Sequence, residues 1–156
     1  MALVLPWSPF RTALVRALRD NLVLKGMLVV KGDWSEGAAP PTTDFPHGVY
    51  SQVFSVPDQD WTGEVDLVAA DVVCFSETQD EAASLAQQVF TTLTTQRLAV
   101  TGLTILSLVR SADINLTDVD ASGNKKFMAG GTYVARFAQS RPAPRTLAIT
   151  IDATIA

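Results

Sequence analysis

The stretch "EVDLVAADVVCF", residues 64–75, is apolar on both of its alternating faces: Val65, Leu67, Ala69, Val73 and Phe75 on one, Val68, Ala70, Val72 and Cys74 on the other. A strand of this kind has to be covered on both sides. It runs into "SETQDEAASLAQQVF", where Thr78-Gln79-Asp80-Glu81 fits the T-x-x-E capping box that opens a helix. Asp80 and Glu81 suit the positive end of the helix dipole. Ala82, Leu85, Ala86, Val89, Phe90 and Leu93 then make one apolar stripe. A strand, a turn and an amphipathic helix are therefore fixed in the middle of the chain. Two helices can cover one face of the strand's sheet. Something else must cover the other, and a partner subunit is a natural candidate.

The remaining elements follow from pattern. Ser8-Pro9 is read as a helix start, with Ser as cap. Phe10, Ala13, Leu14, Ala17 and Leu18 form the buried face, and Gly26 is read as the stop. "MLVV" (27–30) reads as a short strand. Residues 31–48 read as a loop crowded with Gly, Pro and Thr. "VYSQVFSV" (49–56) reads as a strand and 57–63 as a turn. Residues 102–116 and 127–140 read as an antiparallel hairpin around the turn at 117–126. Gly130-Gly131 suggests a bulge or a close backbone approach. After the stiff "RPAPR" (141–145), "TLAITIDATIA" alternates: Leu147, Ile149, Ile151, Ala153 and Ile155 against Ala148, Thr150, Asp152 and Thr154. It reads as a strand that either returns to its own sheet or adds to a neighbour's edge.

At 156 residues the chain is read as one domain that needs no disulfide or metal staple. No apolar run approaches the ~18 residues of a membrane helix. The apolar start has no positive charge before it and no small-residue cleavage site after it, so no signal peptide is expected. The net charge of −4 is unevenly laid out. Residues 1–31 carry five Lys/Arg and one acid, residues 32–96 eleven acids and no Lys or Arg, and residues 97–156 seven Lys/Arg and four acids. These are either solvated faces or the two halves of a head-to-tail contact between subunits. Overall acidity argues against a dedicated nucleic-acid binder.

No catalytic, cofactor or metal residue is assigned. Cys74 sits within the strand's alternation, before the turn, and lacks the flanking glycines of an elbow nucleophile. It is read as core. The single histidine, His47, lies in the proline-rich loop. One Cys and one His cannot supply zinc spacing. Asp118 to Gly123 match half of an EF-hand loop, but its twelfth position is Ala129 rather than Glu, so the run is read as a turn. Trp7, Trp34 and Trp61 are either routine anchors or partner contacts. Candidate contact residues are Trp34, Trp61, Val68, Val72, Leu147, Ile149 and Ile151.

The order of elements resembles the tail-terminator, or tail-completion, family of long-tailed bacteriophages and gene transfer agents. The resemblance covers roughly residues 8–140. It rests on "FRTALVRALRDN", on "DFPHGVYSQV", on a long strand running into "FSETQDEAASLAQQVFTTL", on a Gly-Leu-Thr strand, and on "DVDASGNKKFMAGGTYVARFAQS". It implies an α+β fold, a mostly antiparallel sheet of four to five strands with two helices packed on one face, spanning 1–140. Residues 141–156 exceed the usual family ending and are read as a linker and strand extension.

The family implies a structural protein of the virion, assembled in the host cytoplasm. Six copies form a homo-hexameric ring that caps the head-proximal end of the tail tube. The ring stops tube polymerisation and meets the head-tail connector, or neck, protein. Double-stranded DNA passes through its lumen without specific binding. Neither cofactor nor membrane is implied. Charge segregation suits the heterologous contacts that close rings, and acidity suits a wall that must not trap DNA. The alternatives are a head-closure or neck connector protein, or a small enzyme or ligand-binding domain using Cys74, His47 or the Asp118–Asp120 turn.

Overall fold

A computed structural model describes residues 6–28, 33–40, 43–57, 65–95 and 97–138. Its elements run α1 (Trp7–Asp20), α2 (Leu22–Met27), β1 (Trp34–Glu36), β2 (His47–Pro57), β3 (Val65–Ser76), α3 (Gln79–Thr95), β4 (Thr104–Val119) and β5 (Lys125–Ala138). The strands form one sheet in the order β1-β2-β3-β5-β4. Among the described residues only the short β1–β2 pairing is parallel. The fold is α+β, with β3 at the centre of the sheet.

The buried stripe of α1 is the expected one: Phe10, Ala13, Leu14 and Leu18. The start differs. The helix opens at Trp7, and the Pro6 carbonyl accepts from the Phe10 N–H at 3.1 Å. Ser8 lies inside the first turn, its carbonyl accepting from Thr12 Oγ1 at 3.1 Å. A Ser-Pro pair caps a helix only where the chain enters from the serine, and here it enters two residues earlier, at Pro6. The end differs too. Asn21 leaves the helical conformation, and its Oδ1 accepts from the N–H groups of Val23 and Leu24, both at 3.0 Å. One long helix is thereby split into two, and α2 runs through Gly26 to Met27. The expected strand at 27–30 is thus helix at Met27, and Val29 and Val30 fall outside the described residues.

The stretch expected as loop also contains structure. Trp34–Glu36 pairs with Gly48–Tyr50, and His47 already belongs to β2. Three residues of β1 are too few to show a period. The expected strands at 49–56, 64–75, 102–116 and 127–140 are present as β2, β3, β4 and β5, with Glu64, Gln139 and Ser140 outside the described residues. The 117–126 turn tightens to 120–124, where Asp120 Oδ1 accepts from the N–H groups of Ser122 and Asn124, both at 2.9 Å. These bonds, the Asn124 backbone first, hold the Asp120 carboxyl below its ordinary pKa. Gly123 takes the left-handed φ of 84°.

The core lies between the helices and one sheet face. Val68, Ala70, Val72 and Cys74 of β3 and Tyr133, Ala135 and Phe137 of β5 meet Phe10, Leu14, Leu18, Leu85, Val89 and Leu93. Phe10 and Phe137 pack edge to face at 5.6 Å between centroids. Gly130 sits where a Cβ would run into the Val72 carbonyl and come within 2.8 Å of Val73 Cα. That is the close backbone approach expected there. No helix among the described residues is long and apolar enough to cross a membrane.

Candidate functional site

The residues first suspected of chemistry are placed as core and packing groups. Cys74 is fully buried, and burial alone pushes its thiol up to about 12. A thiol held so far above neutrality is not a nucleophile. His47 stacks between Phe45 and Phe75, with ring centroids 4.9 and 5.0 Å away. Its Nδ1 lies 3.2 Å from the Asp44 carbonyl, and burial lowers its pKa. The structure does not bring Cys74 and His47 together as a catalytic pair. In β3, Phe75 opposes His47 whereas Cys74 opposes Gly48, and successive strand side chains point to opposite faces. Among the described residues no group of three or more His, Cys, Asp or Glu could hold a metal ion.

A cleft of about 660 Å³ opens between the end of α3 and the start of β4. Arg16 and Arg97 make it cationic, and its described lining includes no acid, histidine or cysteine. It has the charge to meet an acidic surface, and the Thr94, Thr101, Thr104 and Ser107 hydroxyls in its described lining have no carboxylate or imidazole in that lining to activate them.

The acids at the start of α3 are helix-initiation groups with one change from expectation. Thr78 Oγ1 accepts from the Glu81 N–H at 3.3 Å, which is half of the capping box. Instead of reaching back to Thr78, the Glu81 carboxylate accepts from the buried Ser76 hydroxyl. Ser76 Oγ in turn accepts from the Thr78 N–H at 3.2 Å. A serine at the end of β3 thus relays the second half of the box and ties strand to helix.

Strand registry defines the surface that remains. Residues directly opposite in neighbouring strands share a face. The rows Phe54–Ala69–Val134–Val109, Val56–Leu67–Arg136–Ser107 and Val49–Val73–Gly130–Ile114 all lie on the side away from the helices. Phe54 is 37% exposed, Val56 45%, Val109 52% and Leu116 59%. Leu67, Val73, Ile114 and Val134 are half-buried. Phe45, His47 and Phe75 cover one end of this face, with Lys126 Nζ 5.4 Å above the Phe45 ring. Two of these rows are apolar across four strands, the third ends in Arg136 and Ser107, and the polar row Ser51–Asp71–Thr132–Ala112 runs between the apolar two; exposed apolar residues grouped in this way mark contact sites.

Among the described residues β4 stands last in the sheet, with β5 on one side. From Arg110 to Thr117 its helix-side residues are polar, before Val119. Arg110 donates to the Gly130 carbonyl at 2.6 Å, pairs with Asp113 at 2.7 Å and lies over the Phe90 ring. Asn115 and Thr117 follow on the same side.

Of the candidate contact residues, Trp34, Val68 and Val72 are 3%, 0% and 0% exposed. All three belong to the chain's own core, because their side chains point towards the helices. They offer no free surface; the exposed apolar residues of the sheet, Phe54 and Val56 on β2 and Val109 and Leu116 on β4, stand on its opposite face. Trp61, Leu147, Ile149 and Ile151 lie outside the described residues. The segregated charges are partly used within the chain, where Arg11 pairs with Glu36 at 3.4 Å and Arg19 donates to the Trp34 carbonyl at 3.3 Å. Phe54 and Val56 fall in the strand that the sequence predicts at 49–56, but a register shift between Gln52 and Phe54 puts them on the same face as Val49, which simple alternation does not reveal.

The fold is similar to that of a chain in the virion of a native gene transfer agent particle. The TM-score is 0.62 at 15% identity, covering 88% of this chain and 99% of that one. It is also similar to the gp17 protein of bacteriophage SPP1, with a TM-score of 0.52 at 20% identity over 92% of this chain and 100% of that one. No curated protein matches the sequence. The family model described as tail completion protein gp17 matches residues 12–128, three quarters of the chain, and the chain therefore belongs to that tail-completion family.

Proposed function

We propose that this structural tail protein closes the head-proximal end of the tail tube as a ring of identical subunits. In this reading six copies associate head to tail, stop tube polymerisation and present a surface to the neck. DNA passes through the lumen without specific contacts. The work is mechanical: it requires subunit contacts and an unobstructed hole, and no bond is made or broken. Cys74 and His47 serve packing, and the Asp118–Asp120 segment serves the hairpin turn.

The observation that carries the proposal is the outer sheet face. Among the described residues α1, α2 and α3 sit on one side of the sheet, and Phe54, Val56, Val109 and Leu116 stand exposed on the other. A monomer gains nothing from exposing such a face, whereas a stable subunit contact needs about 800 Å² per partner with an apolar centre. Family membership supports the tail location. One similar structure comes from the virion of a gene transfer agent and the other is a bacteriophage protein. The net charge of −4 suits a conduit that does not hold DNA.

Negative-stain images of the purified protein, alone and mixed with tail tubes, test the ring. Annular particles with a central hole, or caps on one tube end, are expected. Antibody labelling of complete particles should fall at the head-tail junction. Label on the distal tail or the capsid shell, with no annular form alone or on tubes, would overturn the reading.

A further inference from the structure

We propose that the cleft carrying Arg16 and Arg97 in one copy receives the acidic end of α3, with Glu77 and Asp80, from a second copy. The inference rests on the head-to-tail part of the ring reading and names the surfaces that meet. Arg16 and Arg97 are both exposed in the cleft wall. Thr101, Thr104 and Ser107 add hydroxyl donors beside them. A guanidinium takes a carboxylate through two parallel N–H bonds, and hydroxyls can donate to the lone pairs that remain. The cleft therefore has the donors for carboxylates, and its described lining supplies none of its own.

The carboxylates stand at the opposite end of the molecule. β3 ends at Ser76, opposite Phe127, and α3 starts just beyond it. Glu77 and Asp80 are exposed at that turn. Asp118 and Asp120 lie at the same end of the sheet, against Lys125 and Lys126. From there α3 runs 17 residues to the cleft, where Leu93 and Thr94 enter the lining and Arg97 follows the helix end. Glu81 is already engaged with Ser76. Glu77, Asp80, Arg16 and Arg97 are in no ion pair among the described residues.

The same helix excludes this contact within one chain. Its 17 residues span ~25 Å. Leu85, Val89 and Leu93 are buried along its length, so it holds its acids at that distance from the cleft at its other end. An ion pair closes at ~4 Å. These acids can reach such a cleft only in another copy. The two surfaces are unlike, so the contact is heterologous, the kind that closes into rings. Complementary charge of this sort selects which surfaces meet more than it adds affinity. The apolar area of the contact is left to the outer sheet face.

The test reverses charges in the full chain. Association is read by light scattering over a range of concentrations and by stain images, alone and with tail tubes. Arg16→Glu/Arg97→Glu makes the cleft acidic, and Glu77→Arg/Asp80→Arg makes the α3 end basic. Each variant by itself should associate at least ~10-fold more weakly than the parent, because like charges then meet. An equal mixture of the two should recover the parental association, since every acidic surface again meets a basic one. Thermal unfolding midpoints close to that of the parent are expected, as all four side chains are exposed. In the parent, association should weaken between about 0.1 and about 1 M salt, as the screening length falls from ~10 to ~3 Å.

Undiminished association of either reversed variant overturns the proposal and, where annular particles persist, leaves the ring reading standing. Weakened variants whose mixture does not recover also overturn it, as does parental association that salt leaves unchanged. Duplex DNA held by the parent and lost by the cleft variant, with association intact, would assign the cleft to phosphates instead. Mixture-dependent association with no annular form, alone or on tubes, upholds the contact and sinks the ring reading. A parent that stays monomeric, alone and with tubes, sinks both.

Discussion

The indole of Trp34 lies over the backbone of Gly48, its parallel partner across β1 and β2, in the space where any other residue would place a Cβ. A Cβ on Gly48 would sit 2.8 Å from Cη2 and closer still to Cε3 and Cζ3. The glycine is therefore a packing requirement of a buried tryptophan, and β1 is held to the sheet by that seat as well as by its ladder. Gly48→Ala should destabilise the protein by about 1–3 kcal/mol through overpacking. Urea denaturation checks this, and an unchanged midpoint would mean that the indole is free to shift aside.

Cys74 should resist thiol reagents in the native protein at pH 8 and react fully once unfolded. Its neutral form alone is compatible with the core, and the folded state holds the proton up to about pH 12. The unfolded chain releases it from its ordinary value near ~8.5 upward. The folded state binds more protons in that window, so stability falls there by up to ~1.4 kcal/mol per pH unit and is unaffected below it. Cys74→Ala should abolish that component of alkaline denaturation, and rapid stoichiometric labelling of the native protein would contradict the burial.

His47 predicts the opposite pH response. Burial lowers its pKa below 6.5, so the unfolded state binds the proton first as pH falls. Stability should therefore decrease on acidification through that region and be fully present above it. Denaturation midpoints at pH 5.5 and 7.5 for the parent and His47→Phe would isolate the effect. A pH difference of the same size in both proteins would remove His47 as its source.

Ser76→Ala should cost about 1–2 kcal/mol, because it leaves the Glu81 carboxylate and the Thr78 N–H without their shared partner. Glu81→Gln should cost less, since an amide oxygen still accepts from the serine hydroxyl. Thermal unfolding of both variants measures the order, and Glu81→Gln proving the more damaging would rule out the relay.

Val109→Asp/Leu116→Asp should leave the monomer's unfolding midpoint nearly unchanged, because both side chains are more than half exposed. The same change should abolish self-assembly or capping of tubes, read by light scattering and by stain images. Retained assembly with normal stability would move the contact elsewhere on the subunit.

The amino-acid sequence by itself determined the doubly apolar β3, the stripe of α3, the β4–β5 hairpin and the assignment of Cys74 to the core. Each is written in residues adjacent along the chain, through a period of two or 3.6 or a turn of fixed chemistry. Tertiary structure decided what local pattern could not hold. Asn21 ends α1 because its amide group donates to Thr92 Oγ1 on α3 at 2.9 Å, 71 residues away. β1 exists because Gly48 leaves room for Trp34. Above all, the sequence made both faces of β3 apolar, but only the packing of all three helices on one side decided that Val68 and Val72 are core. Leu67 and Val73 are left on the side from which the outer face is built. Alternation says that two faces differ, and only long-range packing chooses which of them meets its own chain.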